Sequence, residues 1–383
     1  MRIRQCIVAL FLVGTAARAP GAELALVVKT GDVIDGYTIH QFGSETRTDL
    51  NNSGLVMFPA GTPGGQGYFS QQHKLVHTGD VIDGHTVTHN TGHVALNENG
   101  VTAYGLEFDG GPHGIFNTDG LVAKEGDVIG RTIQTIIDTP AINDSGTIAF
   151  YGLAGGADNI FTQSGIIAKS GDVISGKTLS GGFSTSPAIN NAGTAAFASS
   201  FTDGADMGLG IFTPSSLLVR NNQVIGGKTL RNFGDPSIND VGEIAYFANF
   251  ILVTGSGILT QNALVAKTGD VLAGHTLTSF GKFPTINDAG VVSYLANFSG
   301  GSAIFTNQEL LVETGDILDG KIFSGFGNPT INDVGSVSFM ATFTDGSAGI
   351  VIASVPEPSS CALMAFGLAL AVCGVARRRH ARQ

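Results

Sequence analysis

The sequence predicts an all-β protein, a seven-bladed β-propeller of four-stranded blades, from three observations. An Asn-x-x-Gly turn recurs at Asn51, Asn97, Asn143, Asn190, Asn239, Asn287 and Asn332, with separations of 46, 46, 47, 49, 48 and 45 residues. A tandem unit of that length suits one blade of four short antiparallel strands. Composition agrees, with 55 glycines, no tryptophan and only 13% charged residues; short β-branched runs between turns replace any long run of helix formers. A two-sheet β-solenoid is the structural alternative, and repeat length favours the propeller.

In chain order, Met1-Arg2-Ile3-Arg4, the apolar run Cys6 to Val13 and small residues as far as Ala22 have the pattern of a secretory signal peptide, residues 1–22, cut near Ala22. The repetitive body follows over residues 24–354. Each repeat opens with an apolar strand ending in Gly-Asp, as in Leu26 to Asp32; the aspartates are Asp32, Asp80, Asp127, Asp172, Asp270 and Asp316, and the fifth repeat has Asn222-Gln223 instead.

Next comes a two-residue turn such as Asp35-Gly36, Asp83-Gly84 or Ser175-Gly176, whose residues supply the positive φ of a primed hairpin. The third repeat is one residue shorter at Ile129-Gly130-Arg131, which predicts a tighter connection. Proline stands ahead of the Asn-x-x-Gly turn in the last five repeats (Pro140, Pro187, Pro236, Pro284, Pro329) and stops the preceding strand.

The strand after each turn alternates with period two, and its fourth residue is always aromatic: Phe58, Tyr104, Phe150, Phe197, Tyr246, Tyr294 and Phe339. That face is expected to be core, and the opposite face, small or polar as at Thr147, Ala149, Ser336 and Ser338, is not. A fourth strand, such as Gly114-Ile115-Phe116, is expected to close each unit. The variable stretches, Ala60 to Lys74 and Ser199 to Gly210, are expected to be loops.

Beyond Val355 the chain changes character. Pro356-Glu357-Pro358 is followed by an uninterrupted apolar run, residues 361–376, and then by Arg377, Arg378, Arg379 and Arg382. As a helix, 16 residues span about 24 Å, and the arginines place its end in the cytoplasm as an anchor, with the repeats outside. This tail, residues 355–383, closely resembles the PEP-CTERM sorting signal, with its three parts in order at the C-terminus. The resemblance implies an exosortase partner that removes the tail near Pro-Glu-Pro. It also implies an exported protein, transiently held in the inner membrane by a C-terminal transmembrane helix and destined for the cell surface or extracellular matrix of a bacterium that makes exopolysaccharide. The body resembles the Asn-x-x-Gly extracellular tandem repeats found ahead of such anchors, a resemblance that carries no known chemistry.

The terminal segments, residues 1–22 and 355–383, hold seven of the 20 basic residues and one of the 31 acids, Glu357, so the stretch between them is 13 basic against 30 acidic, a net of −17. Such a charge repels nucleic acid. All three cysteines lie in those ends, leaving the body without thiol chemistry. The repeated aspartates suit a strand-end turn better than a Ca²⁺ ring, because Ca²⁺ loops gather their acids within one segment. His85, His89 and His93 stand at four-residue steps but fall on hairpin and strand, where period two separates them. No nucleophile elbow, phosphate loop or zinc motif appears. Asp138, Asp203, Asp206 and Asp235 break the repeat and are the first candidates for any acid chemistry, yet no catalytic or metal residue is assigned.

The expected function is therefore a non-enzymatic structural or binding propeller without a required cofactor, with exopolysaccharide or other surface glycans as partners. The competing expectations are a propeller enzyme acting on extracellular polysaccharide, which needs two acids in one central funnel, and a Ca²⁺-dependent adhesive module.

Overall fold

The structure, a computed structural model, describes residues 22–43, 47–251 and 255–354. The signal peptide, the apolar segment 361–376 and Pro356, Glu357, Pro358, Arg377, Arg378, Arg379 and Arg382 lie outside the described residues. Among the described residues no helix is long and apolar enough to cross a membrane.

Local chemistry sets the strand order, and blade 2 illustrates it. Asp83 and Gly84, at φ 52° and 82°, form the primed turn between Val81–Ile82 and His85–Asn90. The chain continues through Ala95–Leu96, the Asn97 turn, Thr102–Phe108, Gly114–Asn117 and Gly120–Lys124. His85–Asn90 and Ala95–Leu96 pair with opposite ends of Thr102–Phe108, so together they form one interrupted inner strand. Second, third and outer strands follow in order away from the axis. Blade 3 lacks the interruption: Arg131–Ile142 is one strand that accommodates Pro140 by a register shift between Ile137 and Ala141. Its hairpin is the tighter one expected, with Ile129 paired to Arg131 across Gly130 alone.

Repeat and blade are out of step by one strand. The apolar strand that opens each repeat is the outer strand of the preceding blade, so the segments expected to close each unit are third strands. The first opening strand, Glu23–Lys29, has no preceding blade, and it pairs instead with Ala348–Ser354 of blade 7, Glu23 opposite Ser354 and Lys29 opposite Gly349. The seven-bladed ring is thereby closed by strand pairing between the two ends of the body.

Among the described residues the core is divided into seven apolar clusters, each shared by two neighbouring blades; one joins Ala245, Phe247 and Ile258 of blade 5 to Leu277, Tyr294 and Phe305 of blade 6. Another joins Met340 and Ile350 of blade 7 to Phe58 and Phe69 of blade 1. The repeated aromatics stack on the third strand, as Phe150 does on Phe161 (5.4 Å) and Tyr294 on Phe305 (5.7 Å). The opposite sheet face is also core, against expectation: Ala149, Ala196, Ser293 and Ser338 have no accessible surface. Each sheet is sandwiched between two others, and small residues on one face make room for the neighbour's aromatic face. The stretches expected as loops are mostly strand, Val56–Thr62 with Gly65–Ser70 and Ala195–Asp203 with Asp206–Thr213.

Candidate functional site: the central channel

The seven Asn-x-x-Gly turns meet around the axis at one face of the ring. In each, the Asn side chain is buried and its Oδ1 accepts the backbone N–H four residues on, as from Glu243 to Asn239 (2.8 Å). Its Nδ2 donates to the backbone carbonyl of the corresponding Asn in the next blade: Asn51 to Asn97, Asn97 to Asn143, Asn143 to Asn190, Asn190 to Asn239, Asn239 to Asn287, Asn287 to Asn332 and Asn332 to Asn51. The bonds close a circle. The short asparagine amide supplies both the acceptor and the donor, and the turn glycines sit at positive φ, from 75° at Gly290 to 83° at Gly54.

A second circle lies just outside the first, formed by the residue after each Asn. Its side-chain oxygen accepts the backbone N–H of the preceding blade, as Asp288 does from Asp240 (2.8 Å) and Asp333 from Asp288 (2.9 Å). Glu98, Asp144, Asp240, Asp288 and Asp333 put five carboxylates in this collar, and Asn52 and Asn191 take the other two places. Asn191 Nδ2 bridges Asp144 (2.7 Å) and Asp240 (2.9 Å). Burial, followed by neighbouring carboxylates, raises the pKa of Glu98 and Asp288.

Above the turns, the inner strands point alternate residues at the axis. Two positions before each Asn the residues are Asp49, Ala95, Ala141, Ala188, Ser237, Thr285 and Thr330, and all line a mid-channel cavity of about 230 Å³. Four positions before, they are Arg47, His93, Thr139, Ser186, Asp235, Phe283 and Asn328. The first six of these are both the roof of that cavity and the floor of an upper chamber of about 880 Å³. The chamber wall adds Gln41, Gln66, Thr88 and Asn90 and opens at the face opposite the Asn turns.

This ring of seven holds seven different side chains in an otherwise repeating molecule. The Arg47 guanidinium lies over the Phe283 ring at 4.4 Å, a cation–π contact. Among the described residues it forms no ion pair. Burial lowers its pKa, and Asp49 and Asp235 oppose that shift. Asp49 accepts the backbone N–H groups of Leu96 (2.8 Å) and Leu50 (3.0 Å), yet burial pushes its carboxyl up to about 7. Asp235 is raised for the same reason, with the Arg47 charge and the nearby Ser186 hydroxyl acting against it. His93 is held well below its ordinary value by burial and by Arg47, so it is neutral, and its Nδ1 is buried without a hydrogen-bond partner. These groups keep some surface, but it faces only the channel.

Of the four non-repeating aspartates, only Asp235 is placed in the channel by a described side chain. Asp203 and Asp206 sit at an exposed hairpin tip, where Asp203 pairs with Lys177. Asp138 lies on the inner strand of blade 3, with its side chain outside what is described. The strand-end aspartates cap their own turns: Asp32, Asp127, Asp172 and Asp270 each accept the backbone N–H three residues back at 2.9 Å. Gln223 makes the same bond in the fifth repeat (3.1 Å). His85 is exposed, His89 is exposed at the wall of the upper chamber, and His93 enters the ring. Among the described residues no group of three or more His, Cys, Asp or Glu side chains is placed to hold a metal ion. Arg47, His93 and Phe283 were not legible as a site from motifs; the signal was the column four positions before the turn Asn, which holds seven different side chains, and Asp49 lies one inward-facing position nearer the turn.

Comparison with known proteins bears on the tail and on the fold. Residues 354–379 match the PEP-CTERM protein-sorting motif. The chain therefore carries a signal for export and sorting to the cell envelope or surface. Residues 312–362, which include most of blade 7, match a family of unknown function, DUF7453. No curated protein matches the chain. Among solved structures, BBS1N in complex with ARL6DN is 9% identical, with 87% of this chain and 98% of that chain covered and a TM-score of 0.40. Catalytically inactive virginiamycin B lyase from Staphylococcus aureus with quinupristin is 9% identical (86% and 99% covered, TM-score 0.40), and the Dos1 propeller 8% (84% and 78%, TM-score 0.40). Likeness at this level carries over no activity or partner.

Proposed function

We propose that this chain is an exosortase-processed surface or matrix protein whose propeller is a non-enzymatic binding module, holding a saccharide ligand in the upper chamber. The observation that carries the binding half is the ring four positions before each turn Asn. Scaffold positions repeat around the molecule, whereas this ring places a guanidinium, an imidazole, hydroxyls, a carboxylate and an aromatic ring on one floor. A concave site with a few convergent polar groups is the usual form of a ligand pocket. The sorting half rests on the C-terminal motif.

Two experiments test it. Intact mass of the protein from host membranes and from matrix should reveal a species lacking the residues after Pro358; full retention of Cys361 to Gln383 in every fraction refutes processing. Host exopolysaccharide immobilised on beads should retain the protein, and Arg47→Ala with Phe283→Ala should abolish retention without lowering the melting temperature. Retention unchanged in that double variant removes the channel from the binding reading.

A specific observation also favours a second reading, an enzyme on extracellular polysaccharide: Asp49 and Asp235 share one channel, and burial carries Asp49 to about 7, the range of a general acid. New chain ends released from host polysaccharide, lost in Asp235→Asn, would establish it. A Ca²⁺-dependent adhesive module predicts that EDTA lowers the melting temperature; an unchanged melting curve rejects it.

A further inference from the structure

The floor of the upper chamber has an arrangement of donors that narrows the ligand class. The Arg47 guanidinium carbon lies over the Phe283 ring, 4.4 Å from its centroid, and a cation held by a ring face keeps its N–H groups available for hydrogen bonds elsewhere. The guanidinium edge is the part of arginine that matches a carboxylate with two parallel hydrogen bonds. Among the described residues no acid has taken it. His93 Nδ1, on the neighbouring blade, is a buried polar atom without a partner. An unpartnered buried polar group is costly, so a ligand that satisfies it binds with that cost removed.

We propose that the chamber recognises a carboxylate-bearing sugar, a uronate unit of an acidic polysaccharide, with its carboxylate on the Arg47 edge and its ring against Phe283. This inference rests on the channel-binding reading given above. A compact inorganic anion would leave the remaining 880 Å³ chamber unfilled and its amide and hydroxyl wall, Gln41, Gln66 and Asn90, without work. A neutral sugar would leave the guanidinium edge unpaired. The two acids in the channel do not veto a third. Asp49, carried to about 7 by burial, is partly protonated near neutral pH, and a protonated carboxyl donates to an incoming carboxylate instead of repelling it. His93 is neutral. Asp235 is the remaining negative group, and the positive charge of Arg47 offsets part of its field without an ion pair between the two.

The test uses the full-length chain in detergent and calorimetric titration with tetrasaccharides of galacturonate, glucuronate, mannuronate and guluronate, each as free acid and as methyl ester. The ester keeps the ring and removes the charge. At least one free acid should bind on the order of 10- to 100-fold tighter than its ester, a gap that Arg47→Gln abolishes, as expected for a lost charge-assisted bidentate pair. Arg47→Lys should restore only part of the gap, because a point charge lacks the planar fork. Melting curves of each variant separate lost binding from lost folding, and Phe283→Leu, which keeps the charge, should weaken acid and ester alike. If every ester binds as well as its acid, or Arg47→Gln leaves the gap intact, the uronate assignment is wrong. Retention on host exopolysaccharide, scored separately, then decides whether the channel-binding reading fails with it.

Discussion

Replacing Asn239 by aspartate probes the circle of turns at a single atom. Asn239 Oδ1 accepts from Glu243 N–H at 2.8 Å, and Nδ2 donates to the Asn287 carbonyl at 3.0 Å. Aspartate keeps the first bond and cannot make the second, and it sets a carboxylate oxygen against a carbonyl oxygen in a site almost without solvent access. A buried carbonyl left unsatisfied costs about 1–3 kcal/mol, and each unit by which the new carboxyl is raised adds about 1.4 kcal/mol once it ionises. The expected loss is therefore about 2–4 kcal/mol at pH 7. The sign with pH follows from the raised folded-state pKa. The deficit is small near pH 4, where the group stays protonated in the fold, and grows as pH rises through the folded pKa. Thermal melts at pH 4.5 and 8 measure it, with Asn262→Asp on an exposed turn as control, since no side-chain bond is made there. An Asn239→Asp protein that melts within 1 °C of its parent at pH 8 refutes the inter-blade bond.

Further outcomes follow from the same geometry. Asp288→Asn keeps the acceptor for Asp240 N–H and removes a charge that burial and then Asp333 and Asp240 penalise; its melting temperature should exceed the parent's at pH 8, with the gain vanishing as pH falls below the carboxylate range. Tyr246→Phe should be neutral or stabilising in a melt, because its hydroxyl is buried without a partner, whereas Tyr294→Phe loses a bond to the Asn307 carbonyl and should cost about 1 kcal/mol. Deleting Glu23–Lys29 unpairs Ala348–Ser354 along one edge and should yield a chain that aggregates or is rapidly proteolysed; a soluble monomer with the parent's melting curve would show that the ring does not need it. Affinity for a uronate oligosaccharide should fall between pH 6 and 8.5 as Asp49, pushed up to about 7, ionises beside the bound carboxylate; equal affinity at both values counts against proximity of the two.

Much of the architecture was legible because it is written locally. Turn glycines, β-branched hairpin flanks and the aromatic at the fourth strand position each act within a few residues, and they return seven times. What escaped was whatever joins residues a blade apart. Asn190 reveals its own turn, but nothing nearby says that its amide reaches the Asn239 carbonyl. The one-strand offset between repeat and blade is likewise invisible until Glu23–Lys29 is seen beside Ala348–Ser354. For the site, Asp235 stood out as a break in the repeat and His93 only as one of three histidines at four-residue steps, while Arg47 and Phe283 did not, because each looks unremarkable in its own repeat. Aligning the inner strands on the turn Asn isolates them together, and that alignment needs the two-residue step of a strand that faces an axis.

The closing pair has a mechanical meaning. Ser354 ends beside Ser336 at the face of the Asn turns, and the chamber opens at the other face, so a tether attached beyond Ser354 leaves the chamber mouth pointing away from its anchor. Tension on that tether runs along Ala348–Ser354, which is gripped on one side by Val337–Phe343 and on the other by Glu23–Lys29. Backbone bonds in an antiparallel pair lie across the strand direction, so the pull shears both ladders at once and every rung shares the load. A polymer tugging at the chamber would thus be resisted by the same seam that finishes the ring.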